Sequence, residues 1–117
     1  MQFGNVYGTI MVKIQIKSYV RIDGDIPFQT WFESLNAVAA AKVTTALTRL
    51  ELGNISNVKR LKGGIFEYKI HWGPGVRIYF GQDGEQLIIL LGGGTKQRQS
   101  RDIMLASILW KEYLKDR

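Results

Sequence analysis

Residues 66–80 read FEYKIHWGPGVRIYF. On either side of Gly73-Pro74-Gly75 apolar and polar residues alternate, the period of half-buried strands joined by a turn. With those three residues as the loop, His71 falls opposite Arg77 and Lys69 opposite Tyr79, their Cβ atoms roughly 4.5–5.5 Å apart. Phe66, Tyr68, Ile70, Val76, Ile78 and Phe80 then share a core-facing side, while Lys69, His71, Arg77 and Tyr79 share the other. A one-residue slip would mix the two sets, so the pattern supports this parity.

Outward from the hairpin, Asp83-Gly84 marks a turn into a third strand at Gln86–Leu91. Gly92-Gly93-Gly94 is read as its end, and a final helix is expected from about Gln99 to Leu114. The apolar residues of that helix cover well over half its circumference, which implies burial on two sides. Upstream, Met11–Lys17 (MVKIQIK) has the strand period. Asp25 is a candidate cap for a short helix from Pro27 through Leu35, and Asn36 for a second helix ending near Leu52. Ala39, Val43, Ala46, Leu47 and Leu50 form the stripe of the second helix. The fold class expected is α+β: an antiparallel sheet of about four strands, an N-terminal αα-hairpin and a C-terminal helix.

One domain is expected over residues 1–117, with residues 1–10 an upstream start or a loose arm. The chain has no cysteine, which excludes disulfide scaffolds and thiolate metal sites. No run is apolar and long enough to span a bilayer, and no basic head or cleavage site marks a signal. A cytoplasmic protein without membrane contact is the simplest reading. The net charge is +6, and Lys59–Arg101 carries eight basic residues against three acidic ones. So localised a surplus suits a polyanion or an acidic partner; a solvated basic face is the plainer alternative.

The polar side of the hairpin sharpens this. Lys69 and Arg77 can hold a phosphate and offset charge developing on it. An imidazole can act as general base or acid, and Tyr79 can stack on a base or donate a proton. Glu67 is the only carboxylate expected on this side, so no acidic pair is present to hold two metal ions. Activation of an RNA 2′-hydroxyl without metal or other cofactor remains. The same residues also fit plainer roles: surface lysine and arginine for solubility, and Tyr79 packed beneath the last helix. Lys59, Arg60 and Lys62 read either as charges steering RNA or as a solvated loop. In GGGTKQR (Gly92–Arg98) the P-loop spacing is missing, yet Lys96 and Arg98 extend the basic rim.

RLELGN at Arg49–Asn54, HWGPGVRIYF at His71–Phe80 and LLGGGTKQRQSRDI at Leu90–Ile103 together resemble the RelE/ParE toxin superfamily, nearest its HigB-like, phage Gp49-like branch. The resemblance runs from about Val12 to Tyr113. It implies a small basic toxin of a type II toxin–antitoxin pair, held by a helix-turn-helix antitoxin and cutting mRNA on the ribosome to leave a 2′,3′-cyclic phosphate. By the same resemblance Arg77 is the phosphate and transition-state clamp, Lys69 the basic residue of the preceding strand, and Lys96 the lysine after the glycines. The acid/base group that some relatives carry near the C-terminus has only Tyr113 as a counterpart here, so His71 and Tyr79 stand in by geometry. The ParE branch implies a different outcome, inhibition of DNA gyrase by protein contact. An inactive relative that only binds its antitoxin is a third.

Overall fold

The hairpin lies at the heart of a five-stranded mixed sheet. The computed structural model describes residues 13–117 and the backbone of residues 6–7 and 10–11. In chain order the elements are β1 (Val6–Tyr7), β2 (Ile10–Met11), β3 (Gln15–Ser18), α1 (Pro27–Glu33), α2 (Ala37–Glu51), β4 (Val58–Arg60), β5 (Ile65–Ile70), β6 (Val76–Gln82), β7 (Leu87–Gly94) and α3 (Gln99–Asp116), with a 3-10 turn at Lys96–Arg98. β1 and β2 form a separate two-stranded antiparallel sheet. Apart from the Val6–Tyr7 and Ile10 backbone, the arm expected at residues 1–10 lies outside the described residues.

The large sheet has the order β3-β7-β6-β5-β4, which corrects the expected antiparallel sheet of about four strands in two ways. β3 runs parallel to β7. Such a pair needs a long crossover, supplied here by both helices and the β4–β6 meander. Val58–Arg60, expected within a basic loop, forms the edge strand β4 against β5. Its shortness and its exposed Lys59 and Arg60 are the usual means of keeping an edge from recruiting another chain. Of the strand expected over Met11–Lys17, Met11 ends β2 and the large sheet takes up the chain only at Gln15, in β3.

Each face of the sheet is covered by helix. Phe66, Tyr68, Val76, Ile78 and Phe80 pack with Phe28 of α1 and with Val43, Ala46 and Leu50 of α2. Ile65, Tyr79, Ile89 and Leu91 pack with Ala106, Leu109 and Trp110 of α3. The alternation expected for the hairpin thus holds, with a core on both sides. The Asn36 side chain caps α2 by accepting from the Ala39 amide at 2.9 Å. Asp25 caps nothing: Ile26 occupies the cap position of α1. Asp25 is committed to the preceding turn, its amide donating to Asp23 and its carbonyl accepting from Arg21.

The strand expected to stop at Leu91 continues through Gly94, where it pairs with Arg77. Glycine is required there by what lies above it. A Cβ on Gly93 would sit 2.4 Å from the Trp31 ring, and one on Gly94 would sit 1.9 Å from the Asp102 carboxylate. The three glycines therefore extend the sheet where they were read as ending it, Gly93 and Gly94 beneath the side chains of Trp31 and Asp102.

Candidate functional site

Register decides what meets at the hairpin's end. The observed pairs are Lys69↔Arg77 and Glu67↔Tyr79, with Ile70↔Val76 the last pair before the loop. The expected pairs His71↔Arg77 and Lys69↔Tyr79 are each displaced by two residues. The cause is the length of the loop. Trp72 leaves the ladder, its amide donating to the Ile70 carbonyl and its own carbonyl accepting from Gly75. Residues 71–75 therefore all belong to the turn, with positive φ at Gly73 and Gly75. A shift of two preserves parity, so Glu67, Lys69, Arg77 and Tyr79 still share a face.

That face is not open along its length. Tyr79 is fully buried under α3, and its hydroxyl has no hydrogen-bond partner among the described residues. Burial, then the nearby Glu67 and Asp102 carboxylates, push its phenol above the ordinary tyrosine range. The expected stacking or proton-donating Tyr79 is thereby corrected: α3 seals it from any ligand, and its proton is held more tightly than usual. Packing beneath the last helix, the plainer alternative, is what the fold uses.

Arg77 is buried as well, its side chain 4% exposed against 5% for Glu67. Its Nη1 donates to the Gly75 carbonyl. Its Nε lies 3.7 Å from Glu67 Oε2, close enough for an ion pair and too far for a hydrogen bond. Glu67 is fixed from the other side by Gln99, which donates to the same Oε2 at 2.9 Å. The guanidinium is thus aimed by a carboxylate, a loop carbonyl and the first turn of α3.

Beyond this buried pair an open cleft of about 380 Å³ surrounds the loop, lined by Lys69, His71, Trp72, Arg77 and Lys96 with the Gly-Pro-Gly backbone. The Lys96 amide reaches back to the Pro74 carbonyl at 3.4 Å, so the segment after β7 forms the far wall. Among the described residues no aspartate or glutamate lines the cleft. Of the expected site residues, the fold brings together Lys69, His71, Arg77 and Lys96, with His71 and Lys96 exposed. Arg98 is exposed but outside the cleft lining. Lys59, Arg60 and Lys62 lie along the far edge of the sheet, with Arg60 opposite Phe66 and 5.9 Å from the centre of its ring.

Among the described residues no cluster of histidine and carboxylate groups could hold a metal ion, and no helix is long and apolar enough to cross a membrane. The sequence reading missed Trp72, which lines this cleft, and Lys42, Arg49 and Asn57, which line a neighbouring one. Lys42 and Arg49 are seven apart on the exposed face of α2, a spacing that does mark one helical face. Nothing local says which strand that face will meet.

No protein-family model matches the chain. Over 94 residues it is 37% identical to an uncharacterized protein of Haemophilus influenzae, a match spanning 80% of this chain and 95% of that protein. The two belong to one family. Shared identity over so much of both lengths extends the fold described here to that relative.

Proposed function

We propose that the chain is the toxin of a type II toxin–antitoxin pair and cuts mRNA, with ribosomal engagement, by a reaction that uses no metal. The observation that carries this is the cleft: two lysines, a histidine and a carboxylate-aligned arginine converge on one open volume that no acidic side chain lines. Such a site attracts a phosphodiester and favours charge building on its oxygens. The 2′-oxygen bonds to phosphorus as the P–O5′ bond breaks, giving a 2′,3′-cyclic phosphate and a 5′-hydroxyl. The 2′-hydroxyl proton leaves to a base and the departing 5′-oxygen takes one from an acid. His71, exposed at the rim, is the base that takes the 2′-hydroxyl proton, a solvent water in the open cleft protonates the departing 5′-oxygen, and Tyr79 has no part. The resemblance of three segments to RelE/ParE toxins supports the same reading and adds a helix-turn-helix antitoxin as partner.

Primer-extension mapping of transcripts after brief induction tests it. New 5′ ends are expected with the wild type and not with Lys69→Ala/Lys96→Ala, whose side chains lie outside the core. Growth arrest with intact transcripts would refute the reading.

A second reading has its own observation. On α3, Met104, Leu105 and Ile108 are 63%, 49% and 50% exposed, an apolar strip suited to a protein surface. Inhibition of gyrase by protein contact would use that strip, and would show as DNA-damage signalling without cut transcripts. Binding to an antitoxin alone would use it too, with neither effect on induction.

A further inference from the structure

The hairpin end has a second cleft on its other side, against α2. It encloses about 240 Å³, and its lining includes Lys42, Arg49, Asn57, Lys69, His71 and Trp72. Lys69, His71 and Trp72 also line the loop cleft, so the two volumes adjoin around the residues where β5 gives way to the turn. We infer that this second cleft seats the single-stranded RNA flanking the scissile phosphate, with one unpaired base against Trp72 and backbone phosphates on Lys42 and Arg49. The inference rests on the ribonuclease reading above and adds the substrate's strandedness and a binding surface.

Three features carry it. The first is charge. Lys42 and Arg49 are exposed on one face of α2, and among the described residues neither they nor Lys69 and His71 form an ion pair. Among the described residues neither cleft lining holds a carboxylate. Cations left unpaired around a continuous groove track a phosphate backbone. The second is the indole. Trp72 is half-buried and packs against the α2-side core, and its backbone is fixed on both sides within the turn. A ring held that way offers a rigid face, and stacking on it demands a base free of its pairing partner. The third is Asn57, whose amide supplies both a donor and an acceptor. A base edge uses both, whereas an acidic peptide needs only donors.

Binding of a labelled 2′-O-methylated, single-stranded oligoribonucleotide, which cannot be cut, measures this by fluorescence anisotropy with the full chain. Lys42→Gln/Arg49→Gln should weaken binding and reduce the slope of log affinity against log salt by about 0.7 for each phosphate no longer neutralised. Trp72→Leu should weaken binding roughly 5- to 140-fold, and Trp72→Phe should lose the quench of tryptophan emission that RNA causes in the wild type. The same sequence as a duplex should bind more weakly. Unchanged affinity and salt slope in Lys42→Gln/Arg49→Gln would overturn the inference, as would no binding by the wild type. So would displacement of the RNA by polyglutamate together with indifference to Trp72→Leu. Transcript mapping separates the two claims. If Lys42→Gln/Arg49→Gln both cuts and binds like the wild type, the second cleft fails and the ribonuclease reading stands. If the wild type cuts nothing yet loses oligonucleotide affinity with these substitutions, the cleft stands and the ribonuclease reading fails.

Discussion

Truncating Arg77 should unfold the site before it disables any chemistry, and removing the Glu67 charge at the same time should undo most of that damage. At 3.7 Å and an effective dielectric of about 20, the gross attraction of the pair is about 4.5 kcal/mol. Desolvation of two side chains that are 4% and 5% exposed consumes much of that, so the pair adds little net stability. Deleting one partner strands the other charge in the core, which costs about 3–5 kcal/mol. That is a large share of the ~5–15 kcal/mol that holds a domain together, and corresponds to a melting point lower by ~12–20 °C at this size. Arg77→Met and Glu67→Gln should each show a loss of this order in urea titrations. The double variant should lie much nearer the wild type than to the sum of the two. The amide that replaces the Glu67 carboxylate can still accept from Gln99, and the methionine that replaces Arg77 can fill the guanidinium's space. A coupling below about 0.5 kcal/mol, the range of independent sites, would mean that Arg77 is solvated and not held beside Glu67 in the core. Because Arg77 is buried, alanine there would damage the fold, so Lys69 and Lys96 are the positions that test function cleanly.

Other expectations follow from single contacts. Gly81→Ala places a Cβ 2.2 Å from the Trp110 ring and should cost at least about 1–3 kcal/mol in chemical denaturation; Gly92→Ala meets open space and should change stability by under about 0.5 kcal/mol. Asn36→Ala removes the α2 cap and should cost about 1 kcal/mol by the same measurement. Burial raises the Asp102 carboxyl above the ordinary aspartate range, against the opposing pull of Arg98 and Arg101. A raised pKa in the folded state favours folding while the group is protonated, and that benefit is lost as pH climbs from the ordinary value through the raised one. Asp102→Asn should therefore gain on the wild type across that window and match it below, with the gain held under about 1 kcal/mol by the lost attraction of the carboxylate for the start of α3; pH-dependent melting curves would show it.

The hairpin was legible because strand parity is written in side chains two apart, and an error of two residues leaves parity untouched. Its register was not legible, because nothing in HWGPG tells whether Trp72 stays in the ladder or turns with the glycines. The cap at Asn36 was readable for a local reason, a side chain serving an amide three residues on. The parallel pairing of β3 with β7 was beyond reach, because it joins segments some seventy residues apart with no local mark. The burial of Tyr79 turned on a distant fact as well: α3 spends one part of its broad apolar surface on the hairpin's polar side. The same surplus left Met104, Leu105 and Ile108 facing outward. Of the two buried sides expected for the helix, the sheet covers one, and among the described residues nothing covers the other.

The polar atoms beneath α3 share one location for a physical reason. Gln99 and Asp102 lie in the first turn of α3, Glu67 on β5 and Arg77 on β6. The contacts run from Gln99 to Glu67, from Glu67 to Arg77, and from Arg77 to the Gly75 carbonyl in the loop. Arg77 Nε, Tyr79 Oη and Asp102 Oδ2, all buried, have no hydrogen-bond partner there among the described residues. A fold selected for stability alone would fill such a place with apolar side chains, since a buried ion pair is seldom worth more than its hydrophobic replacement. Keeping the pair makes sense if what matters is the direction of the guanidinium, fixed at the mouth of the cleft by groups that cannot move without moving α3. The helix that hides Tyr79 is therefore also what aims Arg77. On the ribonuclease reading proposed above, such a preorganised charge need not reorient as the reaction proceeds.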